Sequence, residues 1–87
     1  MKFAETRIYA DPETAARKMV EIASTIEPVH DGRIYIESIN APFLYRDRGT
    51  PGEYRAGLQL AIERGWLELH ESGTYVKFTP AGADLFA

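Results

Sequence analysis

Apolar residues recur along this chain with two different periods, and the change of period marks its elements. From Thr50 to Glu63, Tyr54, Leu58, Ala61 and Ile62 fall at helical spacing and define a core face. At about 100° per residue, the opposite face carries Gly52, Arg55, Ala56, Gln59 and Glu63. Both ends are marked. Thr50-Pro51-Gly52-Glu53 fits a capping box with proline at the first helical position, where its missing N–H costs nothing. Gly65 supplies the left-handed residue that stops the helix. The spacing therefore predicts a helix over 51–64. Beyond it, Trp66–His70 and Thr74–Thr79 are rich in aromatic and β-branched residues, with Ser72-Gly73 between them as a turn signal. That pattern predicts a β-hairpin.

The earlier half follows the same grammar. Asp11-Pro12 opens a first helix by cap and proline, with Ala15, Ala16, Met19, Ile22, Ala23 and Ile26 as its buried stripe. Glu13, Arg17 and Glu21 sit four apart on the other side, as on a solvated face. Glu27-Pro28 ends the helix, because the residue before proline is pushed out of the α region. Val29–Gly32 reads as a turn, Arg33–Ile36 as a short strand, and Glu37–Asn40 as one or two helical turns interrupted by Pro42. Phe43-Leu44-Tyr45 is an apolar anchor before the polar loop Arg46–Gly49. Thr79-Pro80 opens a last short helix, with Leu85 and Phe86 expected to dock on the core. Residues 1–11 form an N-terminal arm or strand in which Phe3, Ile8 and Tyr9 are the apolar anchors. Arg7-Ile8-Tyr9-Ala10 echoes Arg33-Ile34-Tyr35-Ile36, over too few residues to make a repeat.

Eighty-seven residues make one domain. There is no cysteine, hence no disulfide framework and no thiolate metal site. No apolar run suits a signal peptide or a membrane span, so no membrane partner is expected and a cytoplasmic location is the default. No residue set supports catalysis, and the chain is not expected to be an enzyme or to need a cofactor. His30 and His70 lie far apart, and His70-Glu71 at a hairpin tip is not a metal ligand set. Gly49–Gly52 opens a helix N-terminus that suits an anion, but it lacks the lysine of a P-loop and the spacing of a dinucleotide fingerprint. With few basic neighbours, Tyr9, Tyr35, Tyr45, Tyr54, Trp66 and Tyr75 read as packing residues rather than as a stacking platform for single strands.

Two segments carry a family resemblance. Ala61-Ile62-Glu63-Arg64-Gly65-Trp66-Leu67-Glu68 resembles the helix-to-wing junction of winged helix-turn-helix regulators. Phe78-Thr79-Pro80-Ala81-Gly82 resembles the exit that follows their second wing strand. The resemblance implies an α+β winged-helix domain over residues 12–87: three helices, a short strand, a two-stranded wing hairpin and a short C-terminal helix. It implies a DNA-binding domain of the transcription-regulator type, with the exposed face of helix 51–64 in the major groove of double-stranded DNA. On that reading Arg55 and Gln59 meet base edges, and Arg46 and Arg48 meet phosphates. The charge departs from the pattern. The chain carries a net −3 with a pI near 5.3, and nucleic-acid binders usually show a basic surface. Glu63 shares the helix face, and Glu68 and Glu71 against Lys77 leave the wing acidic. The alternative is a protein–protein interaction module on the same scaffold, without nucleic acid. The terminal segments are too short for a dedicated pair of dimerisation helices, so a monomer or weak homodimer is expected.

Overall fold

The computed structural model describes residues 7–86, and each proline-led helix start is in place. The elements are α1 (Pro12–Ser24), β1 (Ile34–Tyr35), α2 (Ile36–Ala41), a π-helical turn (Pro42–Arg46), α3 (Pro51–Glu63), β2 (Leu67–Leu69), β3 (Tyr75–Phe78) and α4 (Pro80–Asp84). They build a small α+β domain with one antiparallel sheet of order β1-β3-β2. The short strand and the hairpin thus belong to a single sheet. Val76 is its centre, paired with Ile34 on one side and Leu69 on the other.

The caps differ in chemistry. Thr50 Oγ1 accepts from the Glu53 N–H at 3.1 Å, and Glu53 Oε1 accepts from the Thr50 N–H at 3.0 Å, which is the reciprocal capping box. Thr79 Oγ1 accepts from the Gly82 N–H at 2.9 Å. Asp11 instead takes the hydroxyl of Thr14 at 2.7 Å.

Three expectations are corrected. Helix α1 stops at Ser24, ahead of Pro28. The Thr25 and Ile26 N–H groups bond the Ile22 and Ala23 carbonyls at 3.0 and 3.1 Å, which tightens the last turn. The hydroxyls of Ser24 and Thr25 bond the Glu21 and Ile22 carbonyls at 2.6 and 2.7 Å and compete with further helix. Pro42 does not interrupt its helix, which continues as the π turn with the Asp47 N–H on the Pro42 carbonyl at 3.0 Å. The wider turn follows the proline ring and closes on its carbonyl side. It also divides the apolar anchor: Phe43 is fully buried, while Tyr45 is 82% exposed. Third, Leu85 packs partly against the core but Phe86 stands half in solvent.

The described part of the N-terminal segment is a 3-10 turn, Ile8–Ala10, so the echo between residues 7–10 and 33–36 has no structural counterpart. Tyr9 docks against Phe43, with ring centroids 5.0 Å apart, while Ile8 faces solvent. Phe3 lies outside the described residues.

The core forms between α1 and α3. The stripe Ala15, Ala16, Met19, Ile22 and Ala23 is buried as expected, Val20 joins it, and Ile26 is half-buried. On α3, Tyr54 and Ala61 are buried, whereas Leu58 and Ile62 are half-buried. The centre of that face is Gly57, which a hydropathy pattern passes over. A Cβ built there would stand 2.8 Å from Ala15 Cβ and 3.0 Å from the Ala15 carbonyl carbon, so the two backbones approach closely because Gly57 has no side chain.

Trp66 links the helices to the sheet. It is 8% exposed, and the guanidinium carbons of Arg17 and Arg64 lie 5.4 and 5.6 Å from its ring centroid. Its own backbone is clasped from the chain end. The Thr79 hydroxyl donates to the Gly65 carbonyl, with the Trp66 carbonyl at 3.2 Å. Gly82 sits so close to the Trp66 carbonyl that a Cβ would collide with it.

Two substitutions test this packing by chemical denaturation. Trp66→Ala is expected to destabilise by about 3–5 kcal/mol, and the native indole is expected to emit at short wavelength and resist quenching. Gly57→Ala is expected to destabilise by about 1–3 kcal/mol through overpacking against the α1 backbone. It should do so although alanine is about 1 kcal/mol the better helix former. A neutral or stabilised Gly57→Ala variant would contradict the close approach.

Candidate functional site

Helix α3 turns one face to the core and leaves the other to solvent. Gly52, Arg55, Ala56, Gln59 and Glu63 are all exposed, as the spacing predicts. Gly52 and Ala56 keep this face low, so Arg55 and Gln59 stand above it. Among the described residues, no carboxylate lies within ion-pair distance of Arg55. Gln59 is engaged along the helix, its amide donating to Glu63 Oε2 at 3.1 Å.

The two loop arginines sit differently. Arg46 closes the π turn and pairs with Asp47 at 3.3 Å, and Asp47 also lies 3.9 Å from Lys18. Arg48 takes a left-handed backbone, with φ of 63°, which turns the chain into the α3 start. Its carbonyl accepts from Arg7 Nη2 at 3.0 Å. Next to it Gly49 lies so close to the Phe43 ring that a Cβ would collide with it. Arg46 and Arg48 are therefore placed just ahead of α3 by the buried Phe43 and by the turn itself.

The strongest polar contact at this end was not legible from sequence spacing. Arg7 forms a two-pronged pair with Glu53, Nε to Oε2 and Nη2 to Oε1, each at 2.7 Å. Forty-six positions separate the two residues, and no local pattern joins them. The Arg7 guanidinium and the Thr50 N–H hold the Glu53 carboxyl down at about 2. The α3 N-terminus, which suits an anion, thus has one in Glu53 itself.

The hairpin carries mixed charge. Glu68 faces Lys77 across β2 and β3, and Glu71 stands at the tip. Inside the loop, His70 Nδ1 accepts from the Ser72 N–H at 3.1 Å, and Ser72 Oγ contacts Thr74 Oγ1 at 2.8 Å. Gly73, with φ of 75°, supplies the turn. The His70 ring stacks on Tyr75 with centroids 4.5 Å apart, and the Arg33 guanidinium carbon lies 4.7 Å from the Tyr75 ring centroid. Among the described residues, no group of three histidine or acidic side chains could hold a metal, and no helix is long and apolar enough to cross a membrane.

Comparison with family models, with curated proteins and with solved structures gives no match for this chain.

The Glu53 carboxyl sets a pH dependence. Its folded value of about 2 lies below the usual 4.5. The stability it contributes is complete above pH 4.5 and is lost as pH falls towards 2. Thermal melts across this window should show the wild type losing stability more steeply than Glu53→Gln, which should start lower at neutral pH. Parallel curves for the two proteins would remove the Arg7–Glu53 pair from the account.

Proposed function

We propose that this chain is a winged-helix domain that binds double-stranded DNA through the exposed face of α3. The observation that carries the reading is the order helix, strand, helix, helix, strand, strand, with β1 joined to the hairpin and one face of α3 left uncovered. A major groove admits a helix whose facing side chains are few and long. Gly52 and Ala56 permit the approach, Arg55 suits guanine, and Gln59 suits adenine once it is released from Glu63. Arg46 and Arg48, ahead of the helix start, suit phosphates. On this reading the chain regulates transcription, acts in the cytoplasm, needs no cofactor and performs no catalysis. It is a monomer or weak homodimer, which sedimentation at micromolar concentration checks.

A second reading has its own support. The net charge of −3 and the acidic hairpin favour a protein partner over a polyanion. The α3 face would then be an interaction surface on the same scaffold.

A titration of duplex DNA at low and moderate salt separates the two. The DNA reading expects binding at low salt that weakens steeply as salt rises. Arg48→Ala, at a phosphate-facing position, should reduce the slope of log K against log salt by about one unit. Arg55→Ala should instead cost about 1–3 kcal/mol on the preferred sequence and relax its specificity, with an unchanged melting profile because its side chain lies off the core. Gln59→Ala should alter sequence preference more than affinity. If the wild type fails to bind even at low salt, the DNA reading loses its electrostatic basis and the protein-partner reading takes its place.

A further inference from the structure

The sheet ends on β2, and the outer edge of that strand is unpaired among the described residues. The ladder to β3 fixes which groups face outward. The His70 N–H bonds the Tyr75 carbonyl at 3.0 Å, and the Thr79 N–H bonds the Trp66 carbonyl at 3.3 Å. In an antiparallel pair these bonds fall on alternate residues. The Trp66 carbonyl, the Glu68 backbone and the His70 N–H therefore face β3, while the Trp66 N–H bonds the Ala61 carbonyl at 2.9 Å. Leu67 and Leu69 direct theirs the other way, to open solvent. An open edge of this kind accepts a further strand.

The two faces beside that edge differ in chemistry. On one, Ile62, Leu67, Leu69, Phe78 and Pro80, with Glu68 and Thr79 at its margin, line a mostly apolar groove of about 540 Å³, and Leu69 is 39% exposed. On the other, Glu68, His70, Glu71, Tyr75 and Lys77, with Leu69 at its margin, line a groove of about 410 Å³ with two carboxylates and one ammonium. Side chains of an added strand alternate between the faces. One set meets apolar surface and the other meets Glu68 and Glu71. In a second copy paired Leu67 to Leu69, Glu68 stands directly opposite Glu68, and like charges at that position repel, so that register is disfavoured.

We propose that the outer edge of β2 docks an extended segment of a partner protein in which apolar residues alternate with lysine or arginine, adding it as a fourth strand. The backbone groups of Leu67 and Leu69 hold the segment, the apolar groove takes its hydrophobic side chains, and Glu68 and Glu71 select the basic ones. The proposal uses none of Arg46, Arg48, Arg55 or Gln59 and stands apart from the nucleic-acid reading.

The test is a titration of the full chain with a capped synthetic peptide of alternating valine and lysine, followed by amide NMR. The Leu67 and Leu69 amides should shift saturably and gain exchange protection, while those of α3 residues 52–59 stay in place. Glu68→Lys, an exposed substitution whose fold is checked by circular dichroism, should weaken this peptide about fivefold and strengthen its valine–glutamate counterpart. Three results would overturn the proposal. One is unchanged Leu67 and Leu69 amides at saturating peptide. Another is equal binding of a scrambled peptide with its lysines in one block, which signals charge without strand pairing. The third is a dimer of the wild type, without peptide, in which those two amides are already protected.

Discussion

Ala15 and Gly57 bring the backbones of α1 and α3 closer than two residues with larger side chains would allow. Much of the rest depends on that approach. With the helices this near, Met19, Ala23 and Ala61 fill the space between them, and Phe43, Ile34 and Val76 close the core from the π turn and the sheet. The same approach sets which way α3 is turned. Its buried line runs through Tyr54, Gly57 and Ala61, so Arg55, Ala56 and Gln59 come to lie outside. The face proposed as a binding surface is the complement of a glycine contact.

What was legible in the sequence was mostly local. Thr50 and Thr79, each followed by proline, announced helix starts because a cap and its partner lie within four residues. Gly65 and Gly73 announced a stop and a turn because a left-handed backbone favours glycine. The helix faces followed from period alone, and so did the exposure of Arg55 and Gln59. Gly57 was missed because a residue that packs by having no side chain carries no hydropathy signal. The π turn at Pro42 was missed because proline marks a disturbance of a helix without saying whether the chain breaks or widens. Arg7 was missed because its partner lies far along the chain, and an arginine near a terminus looks the same whether it is solvated or paired.

Charge pairing shapes the candidate surface more than charge number does. Arg46 is paired with Asp47, and Glu68 faces Lys77. Arg17 and Arg64 both pair with Glu13 at 3.1 Å and flank the Trp66 ring. Arg55 stands outside these pairs among the described residues. Surface ion pairs of this kind contribute little to stability. They lower the field that a distant polyanion meets, and they favour a ligand whose contacts are specific and close.

The Arg7–Glu53 pair has a further meaning. A capping box is ordinarily a local affair, complete within the first turn of its helix. Here one of its two members also pairs with a guanidinium from 46 positions earlier in the chain, so the first turn of α3 and the segment around Arg7 are thermodynamically linked. Linkage is reciprocal. Whatever draws the segment away loosens the helix start, and whatever orders the helix start tightens the hold on the segment. The stretch around Arg7 and the first turn of α3 are thus coupled through one shared carboxylate.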